Sequence, residues 1–120
     1  MKPSWITMEI QAQVTAFNLL MSQRLFQGEQ LTWQDIAKGY VQAVNKVVGA
    51  ERAIEYNDWA VEETNKSGLR DISEMGFRMM GFNVSLDEYL EYVDELLGKH
   101  KPISLAEQQE INELNRLYNL

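Results

Sequence analysis

Apolar residues recur every three or four positions along most of this chain, and the rhythm is interrupted where glycine, proline or a capping residue intervenes. The first stretch is the longest: Ile6, Ile10, Val14, Phe17, Met21 and Leu25 predict a helix over 6–26 with one wide buried face. Pro3 and Ser4 stand before its first turn, where proline's fixed φ costs nothing, and Gly28 supplies a left-handed cap. Its other side is amide and hydroxyl (Gln11, Gln13, Asn18, Ser22, Gln23, Gln27), which suits a face covered by another helix or by a partner. The shorter helices downstream are expected to pack on this one.

Thr32 followed by Asp35 predicts a second helix, with an N-cap and an acid in its first turn. Trp33, Ile36, Ala37, Tyr40, Val44, Val47 and Val48 form its buried face, Lys38, Gln42, Asn45 and Lys46 the opposite one, and Gly49 closes it. A third helix over 50–66 buries Ala53, Ile54, Ala60 and Val61, with Asn57 and Thr64 along the same side, and Gly68 ends it. A fourth over 69–80 carries Leu69, Ile72, Met75, Met79 and Met80 as its core set. Gly76 inside it costs about 1 kcal/mol against alanine and implies close packing or a break. The methionines fill irregular core gaps in this reading, although methionine also builds adaptable grooves. Ser85 with Glu88 and Ser104 with Glu107 are capping boxes. They predict helices over 85–99, burying Leu86, Leu90, Val93 and Leu97, and over 104–118, with Leu105, Ile111, Leu114 and Tyr118; Pro102 separates the two. The expected architecture is all-α: a compact single-domain bundle of about five to six helices spanning 1–120.

Composition agrees with that picture. The chain has 120 residues, 45% of them hydrophobic and two of them proline, enough for one domain with a real core. No apolar run approaches the roughly twenty residues of a membrane span, and no basic-then-apolar leader opens the chain, so a soluble, cytoplasmic protein is expected. The absence of cysteine removes disulfides, thiolate nucleophiles and zinc–sulfur sites. The net charge of −7 sits almost wholly in the second half. Residues 1–60 hold six acids and five bases, residues 61–120 twelve acids and six bases. A surface of that sign repels phosphate backbones and disfavours nucleic acid as a partner.

Candidate chemistry is sparse. His100, in Gly-Lys-His-Lys-Pro at a helix end, suits capping carbonyls better than catalysis. Glu62-Glu63 is followed by Thr64, Asn65 and Lys66 and lacks the third acid of a magnesium-binding Glu-Glu-x-x-Glu cluster, and no Glu-x-x-His pair is present for a di-iron site. No catalytic residue, metal or cofactor is therefore expected. Leu31 to Val47 resembles the start of a helix-turn-helix, with Ala37 and Val47 at a plausible spacing. The turn position holds Val41, Gly39 falls two residues early, and one uninterrupted helix accounts for the same residues. A DNA-binding regulator centred on 31–48, reading a groove with Gln42, Asn45, Lys46 and Arg52, is the alternative.

The reading preferred on sequence is a non-enzymatic protein–protein interaction domain, an adaptor, accessory factor or stoichiometric inhibitor. Glu51, Glu55, Asp58 and Glu62 recur four, three and four apart as one acidic row. Asp87, Glu88, Glu91, Asp94 and Glu95 bring five acids to the fifth helix before its first base, Lys99. Trp59 and Tyr92 lie off their core stripes beside these rows, a pairing of aromatic anchor and charged rim that fits a partner with a basic surface. A neighbouring helix covering both aromatics is the competing account. The amide-rich side of the first helix and the off-stripe aromatics also allow a homodimer.

Overall fold

Capping chemistry sets most of the observed helix ends. The computed structural model describes residues 2–25, 27, 31–99 and 105–118, and these form six α-helices and no strand. They are α1 (Met8–Leu25), α2 (Trp33–Val48), α3 (Ala50–Lys66), α4 (Leu69–Met79), α5 (Leu86–Leu96) and α6 (Leu105–Tyr118). Gly28, His100, Pro102 and the Ser104 half of the second capping box lie outside the described residues.

The first helix begins later than its apolar rhythm does. Ile6 N–H donates to Pro3 C=O at 3.1 Å in a preceding turn, and the N-terminal hydroxyl contact comes from Thr7, which accepts from Ile10 N–H at 3.2 Å. Ile6 is nevertheless buried, because this turn folds its side chain against the helices. At α2, Thr32 Oγ1 accepts from Asp35 N–H at 3.2 Å while Asp35 Oδ2 accepts from Thr32 N–H at 3.0 Å, the reciprocal pairing of a capping box. At α5 only half of the box forms. Ser85 Oγ accepts from Glu88 N–H at 3.1 Å, and the Glu88 carboxylate takes the Ser85 hydroxyl at 3.5 Å rather than the backbone. Gly49 (φ 82°) and Gly68 (φ 73°) make the one- and two-residue corners between α2 and α3 and between α3 and α4.

The centre of the bundle is α2, not α1. α1, α3, α5 and α6 all pack on it. Val41, Ala43, Val44, Ala37, Gly39 and Gln42 are all buried, so α2 is enclosed on more sides than its apolar stripe predicted. Gln42, expected on the polar face, is only 6% exposed. α2 also runs through residues 33–48 without a turn, so a helix-turn-helix does not form there and Gln42 is not available to a DNA groove. Gly39 has a packing role instead. A Cβ built on it would stand 2.7 Å from Met21 Cγ and 3.2 Å from Leu25 Cδ1, so its missing methyl lets α1 lie close against α2.

Three buried clusters surround this axis. Ile6, Val14, Val44, Ala53 and Tyr56 join α1, α2 and α3. Ala37, Val41, Val93, Leu96 and Ile111 join α2, α5 and α6, and Phe77, Val84 and Leu86 tie α4 to the start of α5. The radius of gyration of 13.8 Å matches the value of about 13.6 Å expected for a compact chain of this length. No helix among the described residues is long and apolar enough to cross a membrane.

The fourth helix reverses its expectation. The spacing of Leu69, Ile72, Met75, Met79 and Met80 places them in the core, yet they are 47%, 63%, 55%, 81% and 42% exposed. The buried residue of α4 is Phe77, on the other side. Leu105 of α6 is exposed as well, whereas Ile111 is buried as expected.

Candidate functional site

α3 and α5 both lean on α2 but do not pack closely on each other, and a groove runs between them. They are antiparallel. Lys99, just beyond α5, reaches Asp58 in mid-α3 at 2.7 Å, while Arg70, in the first turn of α4, bridges Asp87 at the start of α5 at 2.5 Å and Asn65 at the end of α3 at 2.8 Å.

The inner part of the groove is a cleft of about 370 Å³. Ala60, Val61, Leu86 and Leu90 form its walls, Tyr40 of α2 lies at its floor, and Ser73 and Phe77 of α4 line one side. Asn57, Thr64 and Tyr89 add polar atoms to the lining. A second cleft of about 320 Å³ is bordered by Asp58, Glu62, Asn65, Asp94 and Lys99. Val61 and Leu90 line both and stand at their junction. The arrangement is an apolar slot that opens onto an acidic rim.

A chain of hydrogen bonds holds the floor. Tyr40 Oη donates to Asn57 Oδ1 at 3.1 Å, and Asn57 Nδ2 donates to Asp94 Oδ1 at 3.3 Å, linking α2, α3 and α5. Asn57 is 2% exposed, so both ends of its amide need these partners. Burial, with Tyr56 and Tyr89 nearby, pushes the Tyr40 hydroxyl far above the usual tyrosine range, and burial does the same to Tyr89. Neither is an acid or base near neutral pH.

The two acidic rows are partly brought together. Asp58, Glu62 and Asp94 meet at the outer cleft, where hydrogen bonding to Asp58 and the nearby charge of Asp94 raise the Lys99 ammonium above its ordinary range despite some burial. Glu62 is paired with Lys66 at 2.8 Å, and that hydrogen bond holds its carboxyl below the usual range. Glu55 belongs to a different neighbourhood: it accepts from Trp5 Nε1 at 3.1 Å, and Arg52 lies 5.0 Å from the Trp5 ring. Asp87 is tied to Arg70 and Glu88 to the helix cap, while Glu51 and Glu91 are exposed and Glu95 half-buried.

Trp59 and Tyr92 are both half-buried and packed inward. Trp59 rests on the α1–α2–α3 cluster, edge-on to Tyr56 at 5.8 Å, with Lys2 Nζ 5.4 Å over its ring. Its Nε1 is buried and finds no acceptor among the described residues. Tyr92 packs on the α2–α5–α6 cluster, edge-on to Trp33 at 5.5 Å, and its hydroxyl meets Lys38, which also pairs with Glu110 of α6. Neither aromatic lines the groove. The residues of its apolar walls, Ala60, Val61, Leu86 and Leu90, read as ordinary core positions in the sequence, and Ser73, Phe77 and Tyr89 carry no signal there that sets them at a groove. Periodicity assigns such residues to a face and is silent on whether the facing helices close over it.

Among the described residues no group of three His, Cys, Asp or Glu side chains is placed to hold a metal ion. The groove offers apolar contact and charge, with the tyrosine and amide groups of its floor as hydrogen-bonding points. No family model, curated protein or solved structure matches the chain, so its functional reading rests on this geometry.

Proposed function

We propose that the protein acts by stoichiometric binding of another protein, as an adaptor, accessory factor or inhibitor, and that the α3–α5 groove takes a basic amphipathic segment of that partner. One observation carries this reading: the same slot is apolar inside, at Val61, Leu86 and Leu90, and acidic at its mouth, at Asp58, Glu62 and Asp94. A helix or extended segment presenting one or two apolar side chains flanked by Lys or Arg would match both features. At about 370 Å³ the inner cleft has room for those side chains rather than for a whole helix. Lys99 partly neutralises the rim, and a partner cation that displaces it from Asp58 would exchange one ion pair for another.

The test is affinity capture from a source lysate at low and moderate salt, with and without nuclease, followed by titration of the recovered partner. Thr64→Phe fills the inner cleft without changing charge, and Asp58→Asn with Glu62→Gln removes rim charge without filling it. A nuclease-resistant protein whose affinity falls with the first variant, and whose salt dependence flattens with the second, is the expected result. Recovery of nucleic acid alone, or of a protein indifferent to the filled cleft, would overturn the assignment.

A further inference from the structure

α4 turns its groove-lining residues Ser73 and Phe77 inward and leaves its apolar stripe uncovered. Leu69, Ile72, Met75 and Met79 follow one another at three, three and four residues, and the most buried of them is still 47% exposed. Gly76 interrupts this stripe although the helix runs straight through it. A Cβ there would meet nothing within 4 Å, so no neighbour within the chain requires the missing methyl, and alanine would favour the helix by about 1 kcal/mol. Glycine at such a position admits the close approach of something outside the chain.

The charges beside the stripe say what that something is. Asp71 and Arg78 are seven residues apart and therefore lie two turns apart on the same flank, on either side of Met75. Both are exposed, and neither forms an ion pair among the described residues. We infer that α4 pairs antiparallel with α4 of a second copy about a two-fold axis passing between Ile72 and Met75. In that register Ile72 packs on Met75 of the partner subunit, Asp71 meets Arg78 of the partner subunit, and Leu69 enters the space over the partner subunit's Gly76. Two-fold symmetry then makes each contact twice. A parallel pair would place neither the opposite charges nor Leu69 and Gly76 together. The stripe is self-complementary in shape and in charge, which a surface for an unrelated partner has no need to be.

An 11-residue helix buries much less than a standard interface, so the dimer is weak and forms in the micromolar to millimolar range. Because the inward face of α4 lines the groove and the outward face makes the dimer, two grooves would point away from one another. This inference does not depend on what the groove binds.

Charge reversal in sedimentation equilibrium decides it. Asp71→Arg alone and Arg78→Asp alone each create two like-charge contacts and should weaken dimerisation about tenfold, while the double reversal restores it to near the starting value. Gly76→Ile should abolish the dimer by blocking Leu69 without lowering the thermal midpoint of the monomer. All three substitutions lie on the exposed side of α4, and circular dichroism reports whether each variant keeps its fold. A chain that stays monomeric to about 1 mM overturns the inference. So does a dimer indifferent to either single reversal, which would place the contact on another face, or a stripe that takes a different protein while the chain remains monomeric.

Discussion

Two residues show how one missing or unsatisfied atom sets the tolerance of a position. Gly39 is a helix-interior glycine whose replacement by alanine would gain about 1 kcal/mol of helix propensity in isolation. Here the new methyl meets Met21 Cγ, which belongs to a fully buried side chain and cannot swing away. Overpacking should outweigh propensity, and Gly39→Ala is expected to lower stability by about 1–3 kcal/mol in urea unfolding. An unchanged or raised midpoint would mean that α1 shifts freely on α2. Trp59 presents the opposite case, a large ring with an orphaned Nε1 donor. Trp59→Ala should cost about 2–4 kcal/mol, because the ring packs on Tyr56 and the core cluster. Trp59→Phe keeps most of that area and removes the unsatisfied donor, so it should fall within about 1 kcal/mol of the wild type. The sequence places Trp59 off its helix's apolar stripe, where truncation would be expected to leave stability nearly untouched; a neutral Ala variant would return it to that role.

At the scale of elements, what could be read in the chain was whatever is encoded locally. Thr32 with Asp35, Ser85, Gly49 and Gly68 fix helix boundaries through bonds and backbone angles confined to a few residues, and α2 to α5 appear within a few residues of the ranges those signals imply. The partner of each face is a different matter. Apolar period assigned Leu69, Ile72, Met75 and Met79 to a core, yet the helix turned Phe77 inward instead, where it packs against Tyr89 at 4.9 Å. Apolar period also failed to mark α2 as the hub, because Gln42 and Gly39 break its stripe and are enclosed all the same. The acidic rows were legible from spacing alone, whereas the groove they border required knowing that α3 and α5 both rest on α2 without closing on each other. The buried link that ties both to α2 in fixed register is Asn57. Asn57→Ala would leave Tyr40 Oη without its acceptor and Asp94 without one donor, and an expected loss of about 2–4 kcal/mol makes it far costlier than its small size suggests. Asn57→Asp, which keeps the acceptor for Tyr40 but sets a second carboxylate beside Asp94, should be at least as damaging at neutral pH and recover on mild acidification.

For the whole molecule, stability should respond to alkali in a way that reports the groove floor. Tyr40 and Tyr89 both have hydroxyls pushed far above the ordinary value near 10, chiefly by burial, while in the unfolded chain they ionise at that value. A group whose folded-state pKa is raised gives stability that is fully present below the unfolded pKa and lost above it. The folded state then holds protons that the unfolded state releases. Lys99, raised by Asp58 and Asp94, contributes in the same direction, since its ion pairs disappear when the ammonium loses its proton. The unfolding free energy from urea titrations should therefore show no fall from these groups below about pH 10, then decline by about 1.4 kcal/mol per pH unit for each buried tyrosine, without a plateau in the accessible range. Tyr89→Phe removes one of these contributions and should lower the slope by about 1.4 kcal/mol per pH unit. Equal slopes in the wild type and the Phe variant would show that water already reaches the Tyr89 hydroxyl through the groove. Repeating the titration with a bound partner should raise the whole curve by the binding free energy while leaving the onset near pH 10 in place, because the unfolded chain sets that onset and the hydroxyls are already shielded in the free protein.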